Sequence, residues 1–312
     1  MPKLATSVAT LSLFLLVSAS CRWAPPRAEI EQAELVVDES YRHEILEWQA
    51  TRAAGLQRPT GWLSLTGLFW LDEGANLAGS AEAAKVRLPA KTPARVGILE
   101  RSGEAVRFVP DPGASATIGG APAQETEMQP DVSGEPTIVE VGSVQFFVVR
   151  RAERVGVRVR DRESEALRSF QGLEYFPIDP RWRVEARLVP YDPPKQIMIQ
   201  NIVGTVEPGT SPGALVFTLD GKEHRLDPLM EPGDDQMFVI FADETSGRET
   251  YPAGRYLYAD APGPDGTTIL DFNRSYSPPC AFTDFATCPL PPRQNRLQIR
   301  VEAGEKNYEG HV

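Results

Sequence analysis

Cysteine and histidine are scarce in this chain of 312 residues, which has three of each. So few leave no room for a histidine-rich metal enzyme, and no metal or cofactor is called for. Positive charge is also short: 32 Lys plus Arg stand against 43 Asp plus Glu, a formal net charge of −11. A surface that follows a phosphate backbone needs net positive charge, so bulk nucleic-acid binding is excluded. Beyond Val8–Ala19 no apolar run approaches spanning length. Strand–helix–strand alternation is missing as well. What the chain does have is 28 prolines and 25 glycines, which favour many turns over long helices. With 41% hydrophobic and 24% charged residues it can bury one or two cores.

The front of the chain reads as an address. Lys3 precedes the apolar run Val8–Ala19, which is too short to span and has the form of a secretory signal over residues 1–20. Ser18-Ala19-Ser20 supplies the small residues of a cleavage site, and Cys21 follows at once. The stretch Leu16–Cys21 resembles the bacterial lipobox, in which the cysteine is acylated after cleavage; Ser18 stands where that pattern has Leu. An ordinary signal peptidase acting at the same bond would leave Cys21 unlipidated. Cys280 and Cys288 lie eight apart in a proline-rich stretch, close enough for one small-loop disulfide in an oxidising compartment. That pairing leaves Cys21 odd, and lipidation is a simple use for it. With Arg22 rather than Asp after it, the expected location is the outer membrane, facing the periplasm or the cell surface, or otherwise the periplasm. The anchor is then the expected membrane contact, and loss of Lys3 takes the net charge from −11 to −12.

Residues 21–37 read as a tether. Tyr41, Ile45, Trp48 and Arg52 recur at helical spacing over 38–54, with Asp38 or Ser40 as cap and Gly55 as stop. After that the chain reads as about a dozen short strands. Gly142-Ser143 and Asp220-Gly221 are hairpin turns. Strands are expected at Val155–Val159, Trp182–Leu188, Leu215–Leu219, Met237–Ala242, Arg255–Ala259, Thr267–Arg274 and Leu297–Val301. The pattern predicts a mainly β fold of two sandwich- or barrel-like units behind one short helix. Their boundary is placed near Tyr191–Pro194, giving a helix plus N-terminal β unit over 38–190 and a C-terminal β unit with a Cys-Pro loop over 191–312.

Two apparent catalytic motifs fail on their chemistry. Gly209-Thr210-Ser211-Pro212-Gly213 matches G-x-S-x-G, but Pro212 has no backbone N–H to offer an oxyanion, and a strand follows instead of a helix. It reads as a turn before a hairpin. His43-Glu44-Ile45-Leu46-Glu47 has Glu where a zinc-protease helix needs its second His, so it reads as a solvated helix face. A cationic stretch does stand out: residues 150–187 hold ten arginines against seven acids. Arg158 and Arg160 share one strand face, which either pairs with neighbouring carboxylates or receives an anionic ligand or lipid headgroup.

The C-terminal third concentrates polar side chains. Asp243, Thr245, Ser246, Arg255, Asp271, Asn273, Arg274 and Tyr276 are its candidate ligand-binding residues. Expected on one strand face are Ile269, Asp271 and Asn273, with Leu270, Phe272 and Arg274 on the other. Such groups either lock the Cys loop onto the sheet as a buried network or line a pocket for a small polar or anionic ligand. The leading expectation is an exported, lipid-anchored binding module. One rival is a hydrolase-like enzyme with Asp271 as general base and Arg255 or Arg274 stabilising an anion. The other is a purely structural envelope component.

Gly61–Leu71 (GWLSLTGLFWL), Phe170-Gln171-Gly172, Tyr175-Phe176-Pro177 and Asp243–Gly247 match motifs of one family. So do Asp271–Arg274, Pro278–Phe282, Thr287–Pro292 and Gly304-Glu305-Lys306. On these residues the chain resembles the domain of unknown function 1684 family from about residue 40 to 308. The resemblance implies no activity, cofactor or catalytic residue. Gly79-Ser80 and Leu88-Pro89 give the first β half a resemblance to forkhead-associated domains, without their Ser-x-x-His signature. That likeness is one of fold, which does not carry function.

Overall fold

The first helix starts at Asp38, whose carboxylate accepts from the backbone N–H groups of Ser40 (2.9 Å) and Tyr41 (3.1 Å). This satisfies two of the donors that a helix start leaves unpaired. The helix, α1 (Glu39–Leu56), runs through Gly55 and ends one residue later. Its inward stripe is the one the spacing predicts. Ile45 is fully buried, Trp48 packs on Tyr175 and Tyr276, and Tyr41 and Arg52 make hydrogen bonds to the C-terminal third. The computed structural model describes Met1 and residues 37–310, so the expected leader, Cys21 and most of the tether lie outside the described residues.

The remainder is mainly β. In chain order come β1 (Leu65–Trp70), β2 (Gly74–Gly79), β3 (Val86–Arg87), β4 (Gly97–Ser102) and β5 (Ala105–Pro110). Next are β6 (Thr117–Ile118), β7 (Ala121–Pro122), β8 (Thr126–Glu127), β9 (Val139–Val141), β10 (Val144–Arg151) and β11 (Arg154–Asp161). A short helix, α2 (Glu165–Ser169), precedes β12 (Arg183–Gln200), β13 (Val206–Leu219) and β14 (Lys222–Leu226). The last strands are β15 (Gln236–Phe241), β16 (Arg255–Asp260) and β17 (Thr267–Asp271).

These strands form a six-stranded sheet in the order β1-β11-β10-β9-β6-β7 and a five-stranded sheet β3-β2-β4-β5-β8. One apolar cluster joins their inner faces, with Leu99, Phe108, Phe146, Val157 and Val159 at its centre. A four-stranded sheet, β14-β13-β12-β17, and the pair β15-β16 surround a second cluster built on Leu215, Phe241, Leu257, Leu270 and Phe272. Phe272 touches Trp182, Phe217 and Phe241. Both hairpin turns form where expected, and Asp220 and Gly221 carry the two positive φ values (49° and 72°) of a tight hairpin.

Three local expectations are corrected. The strand expected over Thr267–Arg274 stops at Asp271, and Phe272–Arg274 turns into a 3-10 coil capped by the Asp271 side chain. Asn273 and Arg274 therefore do not alternate across a sheet. Leu297–Val301 is not a strand. Leu297 and Val301 are buried in the second core, but the segment bends at Gln298-Ile299. It pairs with the chain after β15 only through an isolated parallel bridge, Ala242 to Arg296, and single bonds such as Leu297 N–H to the Ala242 carbonyl (2.8 Å). Gly209–Gly213 is no turn but lies inside β13, with Thr210 opposite Gln196 and Gly213 opposite Pro190. The Ser211 hydroxyl is buried and donates to the Gly213 carbonyl (3.1 Å).

Candidate functional site

The eight polar residues of the C-terminal third divide into separate networks, and none of them lines the pocket described below. The first network is sealed. Arg255 and Asp243 meet at 2.7 Å with both side chains at 0% exposure. Arg255 also donates to the carbonyls of Val301 (2.8 Å) and Ala303. Asp243 accepts from the Thr245 backbone N–H and hydroxyl at 2.7 and 2.6 Å, and the Asp243 N–H donates to the Ser246 hydroxyl at 3.2 Å. Burial pushes the Arg255 pKa down, while Asp243 opposes it. This arrangement pins residues 301–303 to the ends of β15 and β16.

The second network fastens α1. The Tyr41 hydroxyl donates to Asp271 (2.9 Å), and the Asn273 amide donates to the Tyr41 oxygen and the Asp179 carbonyl, both at 2.9 Å. Arg274 reaches Glu44, with its Nε 3.8 Å from Asp271. Asp271 is 8% exposed, and its burial holds the carboxyl pKa above the usual range. Arg255 is committed to Asp243 rather than to Asp271. The pairing that an Asp271–Arg255 enzyme requires is therefore not made.

Tyr276 belongs to a third group. Its ring packs on Tyr256 and Tyr258 and lies under the Arg52 guanidinium, 4.8 Å from the ring centre. Arg52 donates to Glu305 (3.1 Å) and to the Ser277 carbonyl (2.9 Å). Burial raises the Glu305 carboxyl above its ordinary 4.5, against the pull of Arg52. The native state therefore holds the proton more tightly than the unfolded chain, and stability from this group falls as pH rises. Wild type is expected to lose stability relative to Glu305→Gln as pH climbs above about 4.5, in urea melts taken from about pH 4 to pH 8. Parallel pH profiles for the two proteins would refute this.

Cys280 and Cys288 form a disulfide with their Cα atoms 6.2 Å apart. The loop is tied to the end of β12 through Ile202 N–H to the Cys288 carbonyl (2.9 Å) and Leu290 N–H to the Gln200 carbonyl (2.8 Å). The Tyr256 hydroxyl donates to the Pro289 carbonyl at 2.9 Å.

Beside this loop is a pocket of about 400 Å³. Its walls come from three parts of the chain: Trp62; Arg151 and Arg158 of β10 and β11; and Ile199, Asn201, Glu207, Leu229, Tyr256, Thr287 and Cys288 from the later sheet and loop. The arginines are there because of strand geometry. With Arg151 opposite Arg154 and Phe147 opposite Arg158, the side chains of Arg151, Arg154, Arg158 and Arg160 share one face, while Phe146, Val157 and Val159 fill the core behind it. Trp70, Trp62 and Phe147 lie under Arg154, Arg158 and Arg160 at 3.8, 5.7 and 4.7 Å. Such stacking is favourable when the cation is partly desolvated.

Arg151 pairs with Asp131 at 2.7 Å, but Arg154, Arg158 and Arg160 make no ion pair among the described residues. The solvated, carboxylate-paired face is thus not what forms around Arg158. That residue is 4% exposed, its Nε has no partner, and its Nη2 reaches only Thr287 Oγ1 at 3.5 Å. Burial, with Arg151 adding to it and Asp131 opposing, pushes the Arg158 pKa down to about 10. A buried cation with no direct ion pair is costly unless an anion completes it. The alternation of Arg158 and Arg160 made half of this visible in the sequence. Trp62, Asp131, Glu207 and Thr287 carried no such signal, being brought in from distant segments.

Residues 168–306 match the family model described as "Protein of unknown function (DUF1684)". No match is found among curated proteins. The solution NMR structure of an uncharacterized protein of Haloarcula marismortui is 36% identical, over 45% of this chain and 78% of that one, with a TM-score of 0.38. The match to the DUF1684 family thus runs over residues 168–306, through the Cys loop to Gly304-Glu305-Lys306.

Proposed function

We propose that this is an exported, lipid-anchored envelope protein that binds a small anionic ligand in the Arg158 pocket. The observation that carries the binding role is Arg158 itself, buried at the pocket wall and making no direct ion pair among the described residues. Pockets of a few hundred cubic ångströms with apolar walls and few convergent polar groups are the usual form of small-molecule sites. The anchor rests on the sequence: the Val8–Ala19 run, the small residues before Cys21, and the use of the other two cysteines in a disulfide. Among the described residues no helix is long and apolar enough to cross a membrane. The outer membrane follows from Arg22 after the acylated cysteine.

Intact-mass analysis of the mature protein from its host is expected to show a diacylglyceryl adduct on Cys21. An unmodified Cys21 terminus removes the anchor. For the ligand, wild type and Arg158→Gln are purified natively, unfolded, and the released small molecules quantified by mass spectrometry. One anionic compound near one equivalent in wild type, depleted about tenfold or more in the variant, is the expected result, since hydrogen bonds to buried charges are worth about 1.5–3 kcal/mol. Equal recovery from both proteins overturns the binding role.

A further inference from the structure

We infer that the Arg158 pocket takes a single carboxylate carried on a short apolar body. This assignment rests on the ligand-binding role proposed above and adds the chemical class. The first support is the shape of a donor edge that is covered and lacks a protein partner at Nε. Arg158 Nε has no partner, and the neighbouring Nη2 is held only by Thr287 Oγ1 at 3.5 Å. Nε and Nη2 form one planar fork of a guanidinium, which matches the two oxygens of a carboxylate. Thr287 adds a third donor. Its oxygen accepts from Arg151 Nε at 3.0 Å, which leaves the hydroxyl proton to point at the same anion.

Charge bears on the valence. Arg151 pairs with Asp131 at 2.7 Å, and Arg158, which Asp131 reaches only at longer range, makes no ion pair of its own among the described residues. Glu207 stands at the exposed side with its carboxylate accepting from the Ala152 N–H at 2.9 Å. With Glu207 at its mouth the site already sums to zero, so a monoanion adds the smaller excess of negative charge and a phosphate dianion the larger. The remaining polar wall groups are occupied: Asn201 bonds Thr205, and the Tyr256 hydroxyl bonds the Pro289 carbonyl. What they leave for the rest of the ligand is Trp62, Ile199, Leu229 and the Tyr256 ring. At roughly 30 Å³ per water-sized group, the volume of about 400 Å³ holds about a dozen non-hydrogen atoms.

Calorimetric titration of the full mature chain with octanoate, octanol and octyl phosphate tests the assignment. Octanoate is expected to bind one per chain, about tenfold or more tighter than either competitor. Arg158→Lys keeps the charge but loses the fork, and should weaken octanoate about tenfold while leaving octanol unchanged. Thr287→Val, at a loop position, should weaken octanoate several-fold and decides the matter if the Lys variant does not fold. Octanol binding as tightly as octanoate overturns the carboxylate while the pocket still binds ligand. Tighter binding of octyl phosphate replaces the carboxylate by a phosphate head. If none of the three binds, the small-ligand role of the pocket falls as well.

Discussion

Arg255→Met is expected to lower the unfolding free energy by about 3–5 kcal/mol, the usual loss when one partner of a buried ion pair is removed. Methionine fills much of the volume, so the loss is electrostatic rather than a cavity. Asp243 would keep a buried carboxylate without its cation, and the carbonyls of Val301 and Ala303 would lose their donor. For a domain of this size that corresponds to a fall in Tm of roughly 6–20 °C, readable by calorimetry. The double variant Asp243→Asn, Arg255→Met should recover part of the loss, because it no longer strands a charge. A melting temperature unchanged in the single variant would show that the pair does not lock residues 301–303.

Gly304→Ala is the second large effect. Gly304 has φ +77°, and an added Cβ would sit 2.5 Å from the Ser275 carbonyl oxygen and 2.8 Å from that of Phe272. Those obstacles are backbone and cannot swing aside. The left-handed backbone costs an alanine about 1–2 kcal/mol and the crowding a further 1–3, so a total loss of about 2–5 kcal/mol is expected. Gly103→Ala separates the two parts: φ is +61° there, but nothing lies within 4 Å of the added carbon. Its loss should stop at about 1–2 kcal/mol. Equal melting shifts for the two variants would mean that the collision at Gly304 is relieved by movement of the C-terminal segment.

Much of the fold was legible because it is written in local patterns. The stripe Tyr41, Ile45, Trp48, Arg52 reports helical periodicity, and Asp220-Gly221 reports a turn that few residue types can adopt. The misreadings have one cause. Alternation records which side chains are buried, not whether an extended segment finds a ladder. Leu297 and Val301 are buried beside a single isolated bridge, while Gly209–Gly213 joins a full ladder despite its turn-like composition.

The site was legible only in part. Arg158 and Arg160 on one face follow from a period of two, but whether a carboxylate waits opposite depends on Asp131, Glu207 and Thr287. Those residues belong to other elements, and their placement is decided by tertiary packing. The polar C-terminal third was conspicuous for a reason opposite to binding. Asp243, Arg255, Asp271 and Asn273 are clustered because each satisfies another inside the protein.

The fastening of α1 bears on the order in which the chain can fold. Tyr41 is held by Asp271, 230 residues later, and Arg52 by Glu305, 253 residues later. A chain emerging N-terminus first from the ribosome exposes this helix long before its partners exist. Closure of contacts that remote in sequence is slow, and it must await nearly the whole of the polypeptide. Along the proposed export route that delay is useful. A translocating chain has to stay unfolded until its far end has crossed, and here the first helix cannot be locked down any sooner.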